Sequence, residues 1–181
     1  KLQFEGNTVY RVRRQNAFFV EANTDRRHRQ FFYDGDTFTI YSPRMGFYAQ
    51  APAPGTIAET LALAEDRYDI EMPLKDLFYW GTPQVDNSNI ASAQHIGLAR
   101  IDGVDTDQYA FRQGAVDWQI WIQRGERPLP RKLLITSREE EGQPQFASEL
   151  SWNVNPRFSN ANFAFSPPSQ ARQIRFASTE E

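Results

Sequence analysis

The chain has 181 residues, 40% of them hydrophobic and 14% aromatic, and carries a formal net charge of −3. This length and apolar content suit one soluble globular domain with a real core and exclude a disordered chain. Cysteine is absent, which excludes disulfides, thiolate-bound metal and cysteine nucleophiles, and no run approaches the roughly 18 apolar residues of a membrane helix.

The segments KLQFEGNTVYRVRR and NAFFVEANTD alternate loosely and predict two strands. A start in mid-strand without an initiating Met leads us to infer an upstream segment, either a removed signal peptide or a trimmed N-terminal element. FFYDGDTFTIYSP then sets Asp34-Gly35 between two β-favouring arms, a pair suited to a type I′ hairpin turn because both central positions need positive φ. A two-residue loop places Tyr33 opposite Asp36, Phe31 opposite Phe38 and Arg29 opposite Ile40, while Phe32, Thr37, Thr39 and Tyr41 share the other face. Apolar side chains on both faces predict a sheet covered on both sides, or one lining something apolar. GFYAQA completes a meander.

At Thr56 the period changes. TIAETLALAEDRYD offers Thr56 as N-cap with Glu59 three residues on, and Ile57, Thr60, Leu61 and Ala64 recur at helical spacing. A shorter helix is predicted from Pro73 to Trp80, with Leu74, Leu77 and Phe78 on one side and Gly81 as its stop. From about Ser92 strands return in SAQHIGLARI, VDTDQYAFR, VDWQIWIQR, PRKLLITSR and QFASELSWN, with a second Asp-Gly turn at Asp102-Gly103. Short joins favour antiparallel pairing, so the expectation is an α+β domain dominated by one antiparallel sheet. In VDWQIWIQR, Val116, Trp118, Ile120 and Ile122 point inward and Trp121 falls on a covered outer patch. A last edge strand follows Pro167-Pro168, SREEEGQPQ reads as a solvated loop, and ASTEE as a frayed tail.

Chemistry-bearing patterns are few. His28 and His95 lie in no metal-ligand spacing with acidic residues; the first reads as a solvated basic edge, the second as an ordinary surface or hydrogen-bonded position. No nucleophile elbow, phosphate loop or dinucleotide fingerprint occurs. The carboxylates of EDRYDIE read as solvated surface, and no catalytic residue, metal ligand or cofactor is assigned. Arg11, Arg13, Arg14, Arg26, Arg27 and Arg29 form a basic patch if the first strands pair, suited to a phosphate, an anionic head group or an acidic protein surface, and equally to protecting an edge strand. The acidic overall balance and lack of a binding motif argue against nucleic acid.

The stretches FFYDGDTFTIYSP, YAFRQGAVDWQIWI, RPLPRKLLIT, LSWNVNP and FAFSPP together resemble a family of predicted bacterial periplasmic proteins of unknown function. That family looks like part of the superfamily of the lipoprotein carriers LolA and LolB and of the lipid-binding part of RseB. Trp121-Ile122 followed by Leu129-Pro130-Arg131-Lys132 is similar to the superfamily's most recurrent stretch. The resemblance covers nearly the whole chain and implies a single LolA-like domain over residues 1–181, without the family's usual signal sequence and N-terminal helix. It implies an open, curved half-barrel sheet with short helices on its concave side, and a periplasmic location. Leu61, Leu63, Leu74, Leu77, Phe78 and Trp80 would close the cavity.

The leading expectation is therefore a non-enzymatic protein holding a hydrophobic or acyl-chain ligand between sheet and helices. The lining residues would be Phe32, Tyr41, Tyr48, Leu61, Leu77, Phe78, Trp118 and Ile120. The alternative is an envelope sensor or interaction protein, similar to RseB in outline, that meets a protein partner through its sheet edge or basic patch.

Overall fold

Apolar alternation shapes most of the molecule. Residues 3–14, 16–80, 85 and 87–177 are described by a computed structural model, and their contacts divide the chain into two units. One comprises Leu2–Val85 with Arg157–Glu181, the other Asp86–Pro156. Gly81 and residues 178–181, where a helix stop and most of a frayed tail were expected, lie outside the described residues.

In the first unit β1 (Gly6–Arg13), β2 (Ala17–Thr24), β3 (His28–Tyr33), β4 (Thr37–Ser42) and β5 (Phe47–Pro52) form the expected antiparallel meander. Its helix-side face presents Phe18, Val20, Phe31, Tyr33 and Phe38, none more than 1% exposed. Helix α1 (Ile57–Tyr68) adds Ile57, Leu61 and Ala64 to this core, the one-sided stripe its spacing predicted. The Thr56 hydroxyl accepts from the Glu59 amide at 3.3 Å and donates to the Glu59 carboxylate at 2.6 Å, forming the helix start. At the other end Asp69 adopts φ 52° and its amide returns to the helix carbonyls. Tyr33 and Thr60 both donate to the Pro54 carbonyl, tying the helix entrance to the sheet.

The opposite face is covered by the chain's own C-terminal segment. Ala17, Phe19 and Phe163 are buried together, with Phe32 and Phe158 packed around them. Phe165 lies 5.1 Å from Phe32, 5.4 Å from Tyr41 and 5.0 Å from Tyr48, centroid to centroid. The doubly apolar hairpin is thus the middle layer between a helix and a strap. Beyond the strap, β11 (Arg172–Ile174) pairs with β5, and in parallel.

Three expectations are corrected. The first Asp-Gly does not form a two-residue turn: Tyr33 pairs with Phe38 and Phe31 with Ile40, leaving a four-residue loop. The Asp34 carboxylate accepts from the amides of Asp36 and Thr37 at 3.1 and 2.9 Å, which fixes the wider loop and removes the need for positive φ at Asp34. A shift of two residues keeps every side chain on its predicted face. The second Asp-Gly does what the first does not, with Ile101 paired to Val104 and φ of 47° and 77° at Asp102 and Gly103. The second helix is only α2 (Asp76–Tyr79), because Leu74 takes φ 52° and no α-helix runs through that conformation.

The third correction concerns the sheet. Among the described residues the strands divide between two sheets instead of one, since β11 occupies the edge of β5 that the next strand would have needed. In the second unit β6 (Ile90–Ile101), β7 (Val104–Gln113), β8 (Val116–Gln123), β9 (Pro130–Ser137) and β10 (Gln145–Glu149) pair antiparallel in simple succession. Register puts Tyr109, Phe111, Trp118, Ile120, Leu133 and Ile135 on one face, with Phe111 stacked on Trp118 at 4.0 Å. Trp121, on the other face, is buried, and the Lys132 ammonium lies 5.8 Å above its ring. Both sheets are open, with neither closed nor strongly curled.

Candidate functional site

The expected lining residues distribute over several surfaces. Phe32, Tyr41 and Tyr48 lie on the strap side of the six-stranded sheet, each against Phe165. Leu61 is buried in the helix-side core, Phe78 packs against that core, and Leu77 is half-buried in α2. These six therefore fall on opposite faces of one sheet, and the helix-side interior is filled by its own aromatic rings. Trp118 and Ile120 belong to the five-stranded sheet, half-buried and buried respectively.

Open volume lies at the edge of the helix-side core. A cleft of about 740 Å³ runs between the β5/β11 edge and the last turn of α1. Its apolar wall includes Ala51, Pro52, Tyr68, Ile174 and Phe176, and Gln50, Gln173, Arg67 and Arg175 also line it. Phe176 stacks on Tyr68 at 4.4 Å and on the core ring of Phe38 at 6.1 Å, so the wall continues the hydrophobic core outward. A smaller cleft of about 450 Å³ lies at the start of the β5/β11 pair, lined among others by Arg44, Met45, Phe47 and Arg172. Among the described residues neither lining contains an acidic side chain.

None of the eight residues expected from sequence lines the larger cleft. Two Arg-aromatic pairs, Arg67-Tyr68 and Arg175-Phe176, are the signal that was available. What brings them together is the parallel pairing of a three-residue strand more than a hundred residues after α1, which no local pattern announces.

Three of the six arginines of the first strands lie over rings. The Arg11 guanidinium lies 4.9 Å from the Phe19 centroid, Arg13 lies 5.0 Å from Phe163, and Arg26 lies 4.0 Å from Phe4. Arg13 also donates to Asn160 Oδ1 at 2.7 Å, fastening the strap to β1. Burial pushes the Arg29 guanidinium below its ordinary range. His28 is half-buried, not solvated, and its Nε2 lies 2.8 Å from Glu21 Oε1, which also accepts from Gln30 at 2.7 Å. The hydrogen bonds from Gln30 and His28 hold the Glu21 carboxyl below its ordinary 4.5.

A depressed carboxyl stabilises the fold above about pH 4.5 and loses that contribution as pH falls through its folded value. With 32% of the Glu21 side chain exposed, solvent screening limits the effect to at most about 1 kcal/mol. Glu21→Gln should therefore flatten the acid limb of stability below about pH 4.5 by that amount, read as a smaller fall in urea midpoint on acidification. An unchanged limb would assign the acid sensitivity to other carboxylates.

In the EDRYDIE stretch Glu65 is paired, accepting from Lys75 Nζ at 2.5 Å. Burial alone would lower the Lys75 ammonium, but the Glu65 hydrogen bond and charge outweigh it and leave it raised. His95 is exposed and bonded to Asp107 at 3.1 Å. Among the described residues no three acidic or histidine side chains come together as metal ligands would, and no helix is long and apolar enough to cross a membrane.

These features define a mainly antiparallel β protein with few short helices among the described residues. The chain belongs to the family described as predicted periplasmic protein (DUF2092), whose model matches residues 1–177. It is accordingly a periplasmic protein, the location its resemblance implied. Comparison with curated proteins found no match.

Proposed function

We propose that this periplasmic protein acts without catalysis, by holding a hydrophobic or lipid-like ligand in the cleft between α1 and the β5/β11 edge. The observation that carries the reading is the continuity of the apolar wall from the buried ring of Phe38 through Phe176 to Tyr68. An acyl chain burying on the order of 200 Å² there would gain about 5 kcal/mol before the costs of ordering. The reading takes the chain as a relative of LolA and LolB, in which a greasy ligand also lies between helix and sheet.

A second reading, an envelope interaction protein that meets a partner at a sheet edge, is favoured by β6. This edge strand runs for 12 residues with Ile96 and Leu98 53% and 71% exposed. His95 and Arg100 are its only ionisable side chains, so little charge blunts it against pairing with a partner strand.

Native mass spectrometry of protein purified from its own envelope, comparing intact and denatured masses, separates the two. A stoichiometric acyl compound released on denaturation is the expected result. An empty protein that takes up no fluorescent fatty acid would sink the ligand reading and leave β6 as the functional surface.

A further inference from the structure

Four segments meet at the end of the six-stranded sheet where β2 turns into β3. They are the residues leading into β1, the β2/β3 turn, the β4/β5 turn and the start of β11. The Asp25 amide donates to Glu5 O and the Glu5 amide to Asp25 Oδ2, each at 3.3 Å. Arg44 reaches from its own turn to the Thr24 and Asp25 carbonyls at 3.0 and 3.1 Å, and the Arg172 amide donates to Gly46 O at 2.8 Å. These tips therefore form one bonded surface.

The surface reverses the sign of the chain. Residues 3–5, 24–29, 43–47 and 170–172 carry Arg26, Arg27, Arg29, Arg44 and Arg172 against Glu5 and Asp25, a net +3 with His28 neutral, where the whole chain carries −3. Burial and the neighbouring Arg27 charge together lower the Arg29 guanidinium, so like charges are held within reach of each other. Two apolar side chains stand among them. Met45 is 70% exposed at the β4/β5 tip, and Phe4 is 52% exposed with the Arg26 guanidinium 4.0 Å from its centroid.

Cations that protect a sheet edge belong in the strands, whereas Arg26, Arg27 and Arg44 lie in turns, off the ladder. Cations alone would suit an acidic protein as well as a lipid. Exposed apolar tips set among them favour a bilayer surface, where guanidinium groups meet head-group phosphates and apolar side chains enter the acyl boundary.

We propose that this end of the six-stranded sheet docks the protein on an anionic bilayer surface. Met45 and Phe4 enter the head-group layer, and the arginines around them pair with lipid phosphates. Docking here requires no ligand in the cleft beside α1.

The test is flotation of the purified full chain, at about 0.1 M salt, with two kinds of vesicle. One is phosphatidylcholine alone, the other phosphatidylcholine with an equal part of phosphatidylglycerol. A net charge of three, each worth about fivefold at an anionic surface, should favour the anionic vesicles by about 100-fold, and the preference should fade as salt is raised. Arg27→Gln with Arg172→Gln should remove roughly 20-fold of that preference. Arg14→Gln, at the far end of β1, removes an equal charge and should cost less than about twofold. Met45→Ser should weaken binding to anionic vesicles about fivefold. Arg27, Arg172 and Met45 are exposed, so these variants keep the fold.

The chain has no cysteine, so Met45→Cys accepts a single environment-sensitive fluorophore. Its emission should shift to the blue on anionic vesicles, while the same label at Asp36→Cys, in the exposed turn at the other end of β3, should not respond. Equal binding to both vesicles, or a preference that the arginine and Met45 variants leave unchanged, overturns the docking. Absence of binding to either vesicle also overturns it. If polyglutamate then binds the wild-type protein and not the double arginine variant, the surface belongs to an acidic protein.

Discussion

Replacing Phe18 by Ala is expected to lower the stability of the unit containing the six-stranded sheet by about 3–5 kcal/mol. Phe18 is fully buried, and its ring lies 5.6 Å from Tyr33, 6.3 Å from Phe38 and 5.8 Å from Phe78. Three rings on rigid strands and a short helix cannot all move into the space left, so the cost includes a cavity as well as lost burial. Against a typical total of about 5–15 kcal/mol the loss is large. The readout needs care, because Trp118, Trp121 and Trp152 all sit in the other unit and tryptophan fluorescence reports mainly on that one. Hydrogen exchange of the β2, β3 and β4 amides in increasing urea reads the right region. A loss below about 1 kcal/mol would mean that the face is less tightly closed than its burial indicates.

That core was readable in the sequence because local rules produce it. Alternation sets which residues of β2 to β4 point the same way, and the Thr56–Glu59 capping box with Ile57, Leu61 and Ala64 defines the helix laid over them. Even the wrong loop length at Asp34-Gly35 left the faces intact, since a slip of two residues preserves parity. A turn signal specifies where the chain reverses more firmly than how many residues it uses to do so. At Asp34 a carboxylate that caps two amides competes successfully with the tighter turn.

Non-local facts were not readable. Phe32, Tyr41 and Tyr48 were identifiable as apolar, but their cover, Phe165, lies more than a hundred residues downstream in a segment without regular pairing. Parallel addition of β11 to β5 closes one sheet edge, displaces the expected continuation into a second sheet, and assembles the arginine-lined cleft. A three-residue strand has too short a pattern to reveal its partner or its direction. The cleft was hidden for the same reason: its parts are two ordinary dipeptides until the topology joins them.

Phe163→Ala should also cost about 3–5 kcal/mol, but the loss is expected in a different place. Phe163 is 1% exposed, packed with Ala17 and Phe19 and edge-on to Phe158 at 5.3 Å. It follows a single 3₁₀ turn, Asn160–Asn162, closed by the reciprocal bonds of Ser159 and Asn162. Across this stretch the strap has no β-ladder, so its attachment depends on rings and on Arg13, which reaches both Phe163 and Asn160. A segment held by side chains can open without the sheet opening. Hydrogen exchange at residues 158–165 should then accelerate roughly 100-fold or more while the β2 to β4 amides stay protected, the reverse of the order expected for Phe18→Ala. Exposure of Phe19 and Phe32 should appear at the same time as binding of an apolar dye. If both substitutions instead deprotect strap and strands together, the two layers on either side of the sheet form one cooperative core, and the strap is as integral to the fold as α1.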